Sequence, residues 1–152
     1  MLIIKKVLTI LVCIMMFVSL AIPASALSRT DKLISQSIEY LENGDYIVRE
    51  VFEPLIQPRS SKTGSAVETY RNSNCTAIWA VKVTGTFTYT GSTSSATSSS
   101  ASVSIYNPNA SFVSKNASYS GNTARATGSV KYSGYTVPLT ASVSCDKNGN
   151  LY

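Results

Sequence analysis

Hydroxyl side chains supply most of the polar chemistry in this 152-residue chain, and no histidine is present to activate them. Without histidine, the usual general base, the commonest metal ligand and the Ser-His and Cys-His nucleophile pairs are all missing. A hydrolase built on two carboxylates needs acids about 5 to 9.5 Å apart. Residues 66–152 offer only Glu68 and Asp146, each placed near a turn or an end. Serines and lysines abound, but no local motif selects a Ser-Lys pair. The segment Asp146-Lys147-Asn148-Gly149-Asn150 resembles the start of a calcium loop. Its glycine comes too early, however, and the bidentate acid such a loop needs at its twelfth position is lacking. It reads as a turn built on Asn148-Gly149. The expectation is a protein that is not an enzyme, with no cofactor and no metal.

Binding is the remaining chemistry. Serine and threonine dominate the outward faces of the strand-like segments beyond residue 65, and Tyr106, Tyr119, Tyr132 and Tyr135 are spread among them. Such surfaces hold polysaccharide by aromatic stacking and short hydrogen bonds. Lys82, Lys115, Arg125 and Lys131 could add a basic face towards anionic wall polymers or phospholipid headgroups. The candidate surface residues are Lys82, Tyr106, Tyr119, Arg125 and Lys131. The competing reading is that hydroxyls merely suit strand faces and that Tyr132 and Tyr135 serve the core. Asn74, Asn109 and Asn116 each match the N-glycosylation pattern, which is idle in a bacterial source.

The first 26 residues have the layout of a secretory signal peptide. Lys5 and Lys6 form the basic region, residues 7–22 the apolar run, and Ala24-Ser25-Ala26 the cleavage site. The expected product is secreted, starts at Leu27 and has no span long enough to cross a bilayer. It carries 11 basic and 8 acidic residues, too small an excess to point to nucleic acid. Cys75 and Cys145 remain after processing. An even number in an exported chain favours a disulfide, worth about 4 kcal/mol for so long a loop. Two buried free thiols are the alternative.

What must position these groups is a set of strands. The stretch WAVKVTGTFTY, residues 79–89, alternates Trp79, Val81, Val83, Gly85, Phe87 and Tyr89 with Ala80, Lys82 and threonines. That period of two predicts a half-buried central strand. Further strands are expected at 67–71, 93–106, 111–119, 123–132 and 135–145, separated by Gly, Asn and Pro turns. Ala124, Ala126, Gly128, Val130 and Tyr132 share one face, as do Tyr135, Val137, Leu139, Ala141, Val143 and Cys145. Pro138 has no N–H, so its strand is expected at an edge or a bulge. Setting the Trp79 and Tyr135 strands side by side and antiparallel brings Cys75 towards Cys145.

Upstream, Leu33, Ile34, Ile38 and Leu41 form one apolar stripe, predicting a short amphipathic helix over 28–43 stopped by Asn43-Gly44. A strand at 45–53 and a linker at 54–65 follow. The expected fold is mainly β: an antiparallel β-sandwich or small barrel of about six to seven strands, preceded by that N-terminal helix. The expected division is a signal peptide at 1–26, a helical segment and linker at 27–65, and a β-sandwich domain at 66–152.

Trp79, the run Thr84-Gly85-Thr86-Phe87-Thr88-Tyr89, Ser120-Gly121-Asn122-Thr123-Ala124 and the ending Ser144-Cys145-Asp146-Lys147-Asn148-Gly149-Asn150-Leu151 resemble uncharacterised small secreted β-rich proteins of Gram-positive bacteria. The resemblance spans residues 62–152 and implies export and an all-β fold, with no known activity. Those proteins often carry a cysteine soon after the TGTFTY strand, where this chain has Ser95-Ala96-Thr97-Ser98. Two functions are compatible with all of this. One is a non-enzymatic module that binds a cell-wall polymer, glycan or other extracellular polymer. The other is an antimicrobial or toxin-type precursor whose residues 27–62 are a removable pro-segment.

Overall fold

A computed structural model describes residues 31–55 and 61–152; the expected signal peptide lies outside them. Eight strands follow one another: β1 (Asp31–Tyr40), β2 (Tyr46–Pro54), β3 (Ser61–Arg71), β4 (Ala77–Tyr89), β5 (Ser94–Ile105), β6 (Ser111–Ser120), β7 (Thr123–Tyr132) and β8 (Tyr135–Ser144). They form a five-stranded sheet in the order β1-β2-β3-β4-β5 and a three-stranded sheet in the order β6-β7-β8, antiparallel throughout. The class is therefore mainly β, as the alternation predicts. Among the described residues there is no helix.

The expected N-terminal helix is corrected to a strand. The spacing of Leu33, Ile34 and Ile38 suits a helical stripe, but so short a segment is a marginal helix in water. Ser35 and Ser37 weaken it further. Pairing with β2 runs from Asp31 opposite Pro54 to Tyr40 opposite Tyr46 and outweighs that propensity. Asn43-Gly44, a helix stop on paper, is a hairpin turn, with Gly44 at φ +85°. The expected boundary at residue 65 falls inside β3, so both sides of it belong to one sheet.

Turn chemistry repeats. The turns at 41–45, 72–76 and 146–150 close with the same two backbone bonds, and Gly44, Cys75 and Gly149 take the left-handed position in each. Cys75 holds φ +65° there, where a residue with a β-carbon costs about 1–2 kcal/mol relative to the right-handed region.

The core lies between the sheets. Trp79, Val81, Val83 and Phe87 of β4 face Ala124, Ala126 and Val130 of β7 and Leu139, Ala141 and Val143 of β8, and all are buried. Two glycines let the layers approach closely. A β-carbon on Gly85 would stand 2.5 Å from that of Ala124, and one on Gly128 would stand 3.2 Å from the Trp79 ring.

These contacts also set the relative direction of β4 and β8. Gly128, paired with Leu139, lies over Trp79; Ala124, paired with Val143, lies against Gly85. The two strands thus run in the same sense in opposite layers, not side by side and antiparallel. Cys75 precedes β4 and Cys145 follows β8, so most of the length of β4 separates them. The expected Cys75–Cys145 bridge is not formed. Cys145 is a buried free thiol whose Sγ lies 3.4 Å from the Asp146 carbonyl oxygen, and burial pushes its pKa up.

Candidate functional site

Three groups of polar side chains could carry chemistry, and hydrogen bonding defines what each can do. Glu68, 3% exposed, sits between the layers on β3. Arg49 of β2 donates to its Oε1 through Nε at 2.7 Å and through Nη2. The backbone N–H of Thr140 on β8 donates to Oε2 at 3.1 Å. This carboxylate thus ties three strands in two layers.

Asp45 plays a similar part at one end of the molecule. It accepts from the Tyr70 hydroxyl, from Asn43 Nδ2 at 2.9 Å and from the Ser73 N–H at 2.9 Å. Burial, reinforced by the Asp45 carboxylate, pushes the Tyr70 pKa up to about 12. At the other end Asp146 accepts from the Asn148 and Asn150 N–H groups, both at 2.8 Å, and from Asn150 Nδ2. Its pKa is held down, first by the Asn150 side chain. The calcium-like segment is a closed turn whose carboxylate oxygens are already engaged by protein N–H donors. Among the described residues no three of His, Cys, Asp and Glu form a cluster that could hold a metal.

The third group is a surface. In β7 the even positions 124–130 are buried, so the odd ones face outward. Pairing carries that face across the sheet in five rows: Ser120, Thr123 and Ser144; Ser118, Arg125 and Ser142; Asn116, Thr127 and Thr140; Ser114, Ser129 and Pro138; Ser111, Lys131 and Thr136. Eleven of these fifteen positions are Ser or Thr, and none is acidic or aromatic. Arg125 and Lys131 are its only charges. They lie six residues apart on one strand, hence about 20 Å, and neither has an acidic partner among the described residues. Thr123 Oγ1 and Ser144 Oγ are 2.8 Å apart, a side-chain bond running across the strands.

Of the five candidate residues, then, only Arg125 and Lys131 share this face, and they stand towards opposite ends of it. Lys82 is half-buried on the outward side of the other sheet, opposite Val67 and Ser102. Tyr119 pairs with Ala124, which points into the core, so it belongs to the opposite face of β6 and is exposed at the sheet edge. Tyr106 follows β5, exposed, with its N–H bonded to the Ile78 carbonyl. Tyr132 packs edge-on against Tyr70, while Tyr135 stands 76% exposed. None of these four tyrosines lies on the hydroxyl-lined face; the aromatic ring at its end is Tyr152, exposed and opposite Ser144, with which it exchanges both backbone bonds. The residues that sequence reasoning leaves unassigned are the serines and threonines of β6 and β8. Alternation shows that they point outward, but which strands are neighbours is not a local property.

Comparison with protein-family models, with curated proteins and with solved structures gives no match.

Proposed function

We propose that the chain is an exported, non-enzymatic β-sandwich that binds a cell-surface or extracellular polymer through the outward face of β6–β8. One observation carries this reading: a hydroxyl-lined sheet face with two cations that have no acidic partner among the described residues, and no carboxylate at its fifteen paired positions. Hydroxyl rows hydrogen-bond a polyhydroxylated chain, while Arg125 and Lys131 attract its anionic groups, so the ligand class is an anionic glycan or wall polymer. The signal-peptide layout and the likeness to secreted proteins of Gram-positive bacteria support the same setting.

The pro-segment reading draws less support. Residues 27–62 include β1 and β2, and β2 pairs with β3 from Tyr46–Arg71 to Phe52–Ser65 while contributing Val51 to the core. Their removal would also take Arg49 from Glu68.

The test is co-sedimentation of the purified protein with peptidoglycan, with teichoic-acid-bearing walls and with a neutral glycan. Retention by the anionic walls that falls as salt rises is the expected result. No retention at low salt would refute the proposal.

A further inference from the structure

The edges of the two sheets are treated very differently. Along β8 the outward row is closed at three positions. Pro138 has no N–H, the Thr140 N–H is taken by Glu68, and Ser144 exchanges both backbone bonds with Tyr152. At the corner where the chain crosses between sheets, β5 is tied to the β6–β7 hairpin by Ala96 N–H to Gly121 O and by Ser99 Oγ–H to Arg125 O. β6, the other margin of the smaller sheet, is exposed at nine of its ten residues but packs beside β5; among the described residues, β1 is the margin without such closure. Among the described residues it pairs with β2 alone, and eight of its ten residues are exposed, among them Leu33 at 45% and Tyr40 at 54%. Every second backbone N–H and C=O of β1 points away from β2, the template that edge pairing uses.

The sequence of this edge is close to self-complementary. Ser35-Gln36-Ser37 is symmetric about Gln36, and an apolar residue, Leu33 or Ile38, lies beyond it on either side. Against β2, β1 skips Ile34: Ser35 pairs with Val51 and Leu33 with Phe52. Keeping that bulge, an antiparallel copy centred on Gln36 places Ser35 opposite Ser37, Leu33 opposite Ile38, Lys32 opposite Glu39 and Asp31 opposite Tyr40. The faces agree throughout. Leu33, Ile38 and Tyr40 lie on the side of Phe52, Val48 and Tyr46, while Lys32, Ser35, Ser37 and Glu39 lie on the side of Glu53, Val51, Arg49 and Ile47. By symmetry each Lys32–Glu39 and Leu33–Ile38 pair occurs twice.

We propose that two copies of this chain join antiparallel through β1, with Gln36 opposite the partner's Gln36, making one continuous ten-stranded sheet. This stands independently of the polymer-binding face, which lies on the other sheet.

Sedimentation velocity over a range of concentrations tests it with a charge-swap set. The unmodified protein should dimerise. Lys32→Glu and Glu39→Lys each set like charges opposite one another at two places and should weaken dimerisation about tenfold or more. Mixing the two variants, or combining both changes in one chain, should restore it. A β-type circular dichroism spectrum for each variant separates weakened pairing from misfolding, and recovery on mixing requires both to be folded. A monomer at every concentration up to millimolar would overturn the proposal. So would a dimer indifferent to either substitution, or a mixture that stays monomeric.

Discussion

Glu68 illustrates how a residue that looks functional in sequence can be committed to structure. Its carboxylate is nearly inaccessible and holds Arg49 and the Thr140 N–H at once. Removing one partner of such a pair leaves the other desolvated without compensation. Glu68→Ala should destabilise by about 3 kcal/mol. Arg49→Ala should cost about 2 kcal/mol, less than for a fully buried pair, because the Arg49 side chain is 48% exposed and water can reach the gap. Urea denaturation of both single variants and the double should give a sum larger than the double-variant value; strict additivity would mean that the two side chains do not interact.

Tyr70 gives a pH test at the same scale. Its pKa is raised to about 12 from an ordinary value of 10.0, so the unfolded chain ionises first as pH rises. The stabilisation it provides is then complete below pH 10 and is lost as pH climbs through about 12. Tyr70→Phe should be less stable than the unmodified protein near neutrality, with the gap narrowing over that window. A gap that stays constant from neutrality to pH 12 would show that Tyr70 is not held by burial and the Asp45 carboxylate.

At the scale of elements, the strands from 67 onward were legible because alternation there is strict and the turn residues are strong. β7, at Thr123–Tyr132, coincides with its expected span, and Gly134 and Ser133, both at positive φ, make the turn that follows. Pro138 lies on the edge strand of the smaller sheet, as its missing N–H requires. The N-terminal segment fits a helix and a strand equally on paper, because Ile and Leu at spacings of one and four suit either period and Asn-Gly ends helices and joins hairpins alike. Only the partner strand distinguishes the two. The direction of β8 relative to β4 was equally invisible, since it depends on the layer into which the chain crosses after β5.

Gly85 is a point of close contact between the layers. Gly85→Ala would press a methyl onto Ala124 and the Phe87 ring and should cost about 2–3 kcal/mol. Gly128→Ala meets only side-chain atoms at 3.2 Å or more and should cost less. Ala124→Gly should recover part of the Gly85→Ala loss in thermal unfolding. Equal losses at the two glycines, with no recovery, would contradict this packing.

For the whole molecule, the five-stranded sheet and the three-stranded sheet divide the work. The larger one supplies Trp79, Phe87, Val51, Val81 and Val83 to the core and, among the described residues, leaves β1 open at its margin. The smaller one turns Ala, Val and Leu inward and Ser and Thr outward, with Arg125 and Lys131 on the outward side. Both cations and the hydroxyl pattern could be read along the chain. Their assembly into one face, and the placing of Lys82 on the far sheet, could not, because a period of two fixes a strand's sides and not its neighbours.

The most direct test compares retention on anionic cell walls at low salt for the unmodified protein, Arg125→Gln/Lys131→Gln and Lys82→Gln. All three should fold, since the substituted side chains lie outside the core. The double variant should lose most of its retention while Lys82→Gln keeps it. Equal loss in both, or unchanged retention in the double variant, would contradict a binding face on β6–β8.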